Sequence, residues 1–183
     1  GVVEYSISKL NRMVYMLNEY RNLSEIESEN VSLVPVSDVA SEIMNLLQST
    51  ALQRGIYVND SVDRDIIWAV DKGIWIIFFN LLLSSAMNML KEGEHVTVYM
   101  TRRGNELNVS LSVKCGQDVW RRVAAMTEAD DTHDVSRLPN EYRNCIVELN
   151  AARVLLGKIN GNMNFRWDQE NGFLIIDMML SQM

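Results

Sequence analysis

The chain is poor in cysteine (two), proline (two), histidine (two) and glycine (nine) over its 183 residues, and acidic side chains outnumber basic ones, 24 to 17. Two cysteines, Cys115 and Cys145, make no disulfide framework and fit a reducing compartment. So little proline and glycine excludes collagen-like, linker-like and low-complexity chains. A net charge of −7 and a pI near 4.9 argue against nucleic acid or an anionic membrane as partner, because phosphates need cationic neutralisation. No signal peptide is apparent. Opening on Gly1 rather than Met, the chain reads as a piece excised from a larger, cytosolic-type protein. What is plentiful is apolar sequence: 48% apolar against 22% charged residues excludes intrinsic disorder and suits one ordinary domain with a real core. From Gly73 to Leu90 no residue is charged, the lower limit for a membrane-spanning helix, but Asn80, Ser84, Ser85 and Asn88 interrupt the run. A helix buried between the layers of a soluble domain is the expectation.

Spacing supplies the element order. Val3, Ile7, Leu10, Val14 and Leu17 recur at steps of four and three, an a/d seam, and Met13, Met16, Tyr20 and Leu23 form a second stripe. Residues 2–27 are therefore expected as a helix that packs on another, with an acidic link, Ser24 to Asn30, behind it. A short extended piece around Val31–Val36 precedes a helix to about Gln53, capped by Ser37 or Asp38 and ended by Gly55. Short strands are expected at Ile56–Asn59 and Ile66–Val70, then the uncharged helix. Val96, Val98 and Met100 alternate with polar residues, Arg103-Gly104-Asn105 turns the chain, and Leu107, Val109, Leu111 and Val113 alternate on the return, a β-hairpin. From Gln117 to about Pro139 the sequence reads as a mobile surface loop with a short helix at most. A helix over about Asn140–Gly157 and two strands, Met163–Trp167 and Phe173–Leu180, complete an α+β, two-layer sandwich.

Familiar catalytic templates are missing: no G-x-x-x-x-G-K-[ST], no G-x-G-x-x-G and no G-x-S-x-G. His133 with Asp130, Asp131 and Asp134 has metal-ligand chemistry, but a solvated acidic loop accounts for the same residues, and no metal site is expected. Cys115 and Cys145 have no base near them in sequence and read as small buried residues.

The order of elements, a seam-bearing helix, an acidic link, then α-β-β-α-β-β-loop-α-β-β, resembles the bacterial sensor histidine kinases. Nearly the whole chain is covered: residues 1–28 as the second helix of the dimerisation hairpin, and 29–183 as the ATP-binding catalytic domain of the gyrase and histidine-kinase ATPase superfamily. Leu10-Asn11-Arg12-Met13-Val14 through Leu23-Ser24-Glu25-Ile26-Glu27 is similar to the end of that hairpin. Val34-Pro35-Val36-Ser37-Asp38 resembles the "x-P-v-d-L" opening of the domain, and Gln53-Arg54-Gly55-Ile56 its "ekgI". Val70-Asp71 is similar to "v-x-gD".

Carried over residue by residue, the resemblance implies a nucleotide site with the wrong side chains. Leu81-Leu82-Leu83-Ser84-Ser85-Ala86 stands where the family has N-L-L-S-N-A, so Leu81 and Ser85 replace two amides that hold Mg²⁺ and phosphates. Asn80 is one residue early, about 100° round a helix. Counted from Gly116, the adenine-recognising Asp is Lys114 and the second Gly is Asp118. A Lys offers only donors where an acceptor is needed. Ile146-Val147-Glu148 occupies the phosphate-turn glycines, and Glu148 would repel phosphate. The phosphoacceptor His would lie on the first hairpin helix, upstream of the residues matched here. The resemblance thus implies a signal-transduction pseudokinase module, cytoplasmic, homodimeric through residues 2–27, with a response regulator or partner kinase domains as partners and no cofactor expected. The alternative is a weakly active histidine kinase that binds ATP and Mg²⁺ through Asn80, Ser85, Asn88 and Gly116; an unrelated α+β binding domain is a third.

Overall fold

The computed structural model describes residues 28, 30–127 and 140–182. The seam of residues 2–27 and the acidic run with Asp130, Asp131, His133 and Asp134 lie outside the described residues.

The first strand, β1 (Val31–Val34), runs into Pro35, whose ring confines the preceding residue to extended backbone. Helix α1 (Val36–Gln53) starts directly after it, with Pro35 itself at the N-cap and no side-chain cap. The expected cap from Ser37 or Asp38 is therefore not made. The Ser37 hydroxyl is buried and accepts the Ile66 N–H at 2.9 Å, and Asp38 sits inside the first turn, where its charge suits the helix dipole. Gly55 ends the helix as expected. Its φ of 67° lets the Gly55 N–H reach the Leu52 carbonyl at 3.1 Å and the Ile56 N–H reach that of Ala51 at 3.0 Å.

Strand β2 (Tyr57–Val62) leads to β3 (Trp68–Asp71), and Asp71 opens α2 (Lys72–Met89) by accepting the Ile74 N–H at 3.2 Å. Eleven of the eighteen residues of α2 are buried, among them Trp75, Phe78, Phe79 and Leu81–Leu83. Among the described residues α2 is the one helix long and apolar enough to cross a membrane, and its burial shows why a core helix passes the same test. The hairpin β4 (His95–Arg103) and β5 (Glu106–Lys114) turns on two residues, with Gly104 at φ 59° in the first, where a Cβ would be strained.

After β5 the expected loop is instead helical over α3 (Gln117–Thr127). Val119 and Val123, four apart, are both buried, and Trp120 beside them stacks on Trp167 at 6.3 Å, which anchors three turns. Helix α4 (Asn140–Lys158) and the strands β6 (Gly161–Asp168) and β7 (Phe173–Ser181) follow.

Five strands form one mixed sheet in the order β2-β4-β5-β7-β6, antiparallel throughout except for the parallel β2–β4 pair, while β1 and β3 form a separate two-stranded antiparallel ribbon. Val96, Val98 and Met100, Leu107 to Val113 in alternation, and Leu174 to Leu180 in alternation turn one sheet face into the same core as the helices. The other face is mixed: Ser110 donates to Asp177 at 3.0 Å and Arg166 pairs with Asp177 at 2.9 Å, beside Tyr99, Ile175 and Met179. The architecture is the expected two-layer α+β sandwich.

Candidate functional site

Three places converge in the argument from sequence: the middle of α2, the end of β5 and the first half of α4. On α2, Leu81 is only 2% exposed, and Leu82, Leu83 and Ala86 of the same helix are fully buried as well. Ser85 is buried as well, and its hydroxyl donates to the Leu82 carbonyl at 2.9 Å. A serine inside an apolar helix satisfies itself on its own backbone in this way, which leaves no donor for a ligand. Asn80 does the same, its amide donating to the Ile76 carbonyl at 2.9 Å.

At the end of β5, Lys114 faces away from the helix layer. Side chains alternate along the strand, Val113 facing the helices and Lys114 the outer face. There the Lys114 ammonium donates to the Asn171 carbonyl and lies 4.9 Å from the Phe173 ring, which His95 meets edge-on at 5.6 Å. Counting back from Gly116 reaches Lys114, whereas the buried side chain at the strand end is that of Cys115. Burial first, and then the negative charge of Glu94, push the Cys115 thiol up to about 12, so it is neutral and poorly nucleophilic. Gly116 serves α3: its carbonyl accepts the Val119 N–H at 3.1 Å, and a Cβ on it would collide with Asp118 Oδ1, which folds back over it. Asp118 is exposed in the first turn of α3.

Helix α4 packs along α2 with Cys145, Ile146, Leu149 and Ala152 buried. Glu148 is 5% exposed in the same interface. Its Oε2 accepts from the Asn88 amide at 3.4 Å and it also receives the Ser84 hydroxyl; burial outweighs both and raises its pKa from the ordinary 4.5 to about 7. Asn88 Oδ1 in turn accepts from Arg54 at 3.5 Å, and Arg54 also donates to the Met87 carbonyl at 3.1 Å near the α2 C-terminus. A guanidinium–amide–carboxyl chain thus ties α1, α2 and α4. Of the residues singled out from sequence, the structure joins Asn88 to Glu148 and buries Leu81, Ser85 and Ile146 in the helix layer. It places Lys114 on the opposite side of the sheet. Ser84 and Arg54 were not singled out, and only their position beside the N-box segment and in "ekgI" hinted at them. Among the described residues no three His, Cys, Asp or Glu side chains converge as a metal site.

No family model matches the sequence, and no curated protein is similar to it. Solved structures are similar to its fold. The cytoplasmic segment of the histidine kinase QseC superposes with a TM-score of 0.63 at 15% identity, over 94% of this chain and 95% of that one. The Acinetobacter baumannii histidine kinase AdeS gives 0.62 at 10% identity over 95% and 76%, and full-length ShkA in complex with AMPPNP gives 0.67 at 13% over 92% and 35%. The chain has the fold of a histidine-kinase ATPase-type domain.

Proposed function

We propose that this chain is the histidine-kinase-like module of a two-component sensor, a pseudokinase that relays signals through its dimer and its fold without ATP chemistry of its own. In this reading residues 1–28 are the second dimerisation helix and 29–183 the ATPase-type domain. The module is a homodimer through residues 2–27, works in the cytoplasm on a response regulator or partner kinase domains, and contacts neither nucleic acid nor membrane directly.

The observation that carries the reading is the α2–α4 seam: a buried Leu81, a Ser85 bonded to its own helix, and a buried carboxyl, Glu148, in place of amides and glycines. Mg·ATP fits these side chains badly. A triphosphate needs free donors, and at the seam the Asn88 amide and the Ser84 hydroxyl are already turned to Glu148 among apolar walls. Calorimetric titration with ATP and Mg²⁺ tests the reading. Affinity in the millimolar range at best, with no autophosphorylation, is expected; a micromolar 1:1 isotherm overturns it in favour of a weakly active kinase.

A further inference from the structure

The β1–β3 ribbon has large apolar side chains on both faces, with Ser32 on one and Asp71 on the other. Val34, Trp68 and Val70 turn inward and are buried, as a ribbon lying on a core requires. The opposite face should then be polar, since an antiparallel pair half in water alternates. Apart from Asp71, paired with Val31 at one end, it carries instead Val31 and Leu33, exposed by 54% and 76%, with Ala69 paired to Leu33, and Ile67, exposed by 47%, directly before β3. Single exposed apolar residues are ordinary, but three large ones on one side of a two-stranded ribbon form a patch that calls for a cover.

We propose that this face is the docking surface for the chain's own residues 13–23. Seven residues, Ser24 to Asn30, separate that segment from β1, and at about 3.3–3.6 Å each they span no more than about 25 Å, so Tyr20 and Leu23 stay within reach of Leu33. Met13, Met16, Tyr20 and Leu23 repeat at three and four, an apolar stripe distinct from the Val3-to-Leu17 seam, and methionine adapts to a shallow surface. The rim of the ribbon is mixed in charge, with exposed Asp63, Arg64, Asp65 and Lys72, and with Arg102, which donates to the Ile67 carbonyl at 2.7 Å and covers Trp68 at 5.4 Å. The docking rests on the proposal that residues 2–27 form a helix with two stripes, the a/d seam engaging a second copy and the methionine stripe the ribbon.

Cross-linking in the full chain tests it. Met16→Cys with Leu33→Cys introduces two thiols, while the native Cys115 and Cys145 are buried and stay unlabelled. A short bis-maleimide should link residues 16 and 33 within one chain at least about tenfold faster than the control pair Met16→Cys with Leu52→Cys on the exposed side of α1, because a docked pair has a high effective concentration. Leu33→Asp with Ile67→Asp, both at exposed positions, should raise hydrogen exchange over 13–23 with the melting point of the sandwich unchanged. Linkage between chains only, or a rate equal to the control, overturns the docking. Sedimentation of the same samples separates the two proposals: a dimer without the 16–33 link defeats the docking alone, and a monomer with it defeats the dimer alone.

Discussion

Glu148 is the residue whose chemistry is most exposed to a simple test. Its carboxyl lies between α2 and α4 with only neutral donors, Ser84 and Asn88, and burial lifts its pKa to about 7. Below the ordinary value of 4.5 the folded and unfolded chains both hold the proton, and Glu148 leaves stability unchanged. Between 4.5 and 7 the unfolded chain releases it while the folded chain keeps it, so stability falls as pH rises through that window and then levels off. Glu148→Gln keeps the bond to Asn88 and cannot ionise. It should match the wild type near pH 4.5 and be more stable at pH 8 by about 1–3 kcal/mol. Thermal melts of both proteins across that range check this through their difference, which cancels every other titrating group. A difference that shrinks as pH rises would mean that the carboxyl is ionised and well paired. Lys114 teaches a related lesson. A motif count from Gly116 and the two-residue alternation from Val113 point to different side chains, and the pleat wins because Val113 is pinned in the core. That conflict was present in the sequence, but nothing in it said which count to follow.

At the scale of elements, strong local signals were legible and tertiary ones were not. The β4–β5 hairpin has perfect alternation over both strands and a Gly-containing two-residue turn, and Gly55 is the only residue type that closes α1 without strain. The start of α1 was misread because the hydroxyl of Ser37 serves Ile66, 29 residues away, and local capping rules carry no such term. Helix α3 is hard to read because its inner face is short, Val119 and Val123 with Trp120 partly buried beside them and stacked on Trp167 at 6.3 Å, and charged residues interrupt it. If α3 owes its place to this inner face, Val119→Ala and Val123→Ala should each lower the urea midpoint by the equivalent of about 1–3 kcal/mol, the transfer and cavity cost of deleting two buried methyl groups. Arg121→Ala, on the exposed side of the same helix, should leave it within about 0.5 kcal/mol. Equal and negligible effects at all three positions would place α3 outside the cooperative unit.

For the whole molecule, the nucleotide site that the resemblance implies is assembled from segments far apart in sequence, so its repair cannot be local. Leu81→Asn with Ser85→Asn restores both amides of the α2 motif. The end of β5 still presents Cys115 and an outward Lys114, and α4 still presents Ile146 and Glu148. Adenine and phosphate partners would remain wrong, and the double variant should not gain affinity for Mg·ATP. It should lose stability, because Leu81 is only 2% exposed in the core and its replacement buries an amide there. A buried polar group that forfeits its hydration costs about 1–3 kcal/mol, which lowers the melting point by several degrees in a domain of this size. Position 85 adds less, since Ser85 already bonds the Leu82 carbonyl and an amide can attempt the same. Thermal melting and a nucleotide titration of the variant decide between the possibilities. An unchanged melting point would show the α2–α4 seam to be open to water around residue 81. Gained affinity would show that the end of β5 and the first half of α4 can still hold a nucleotide, and the pseudokinase proposal would fall with it.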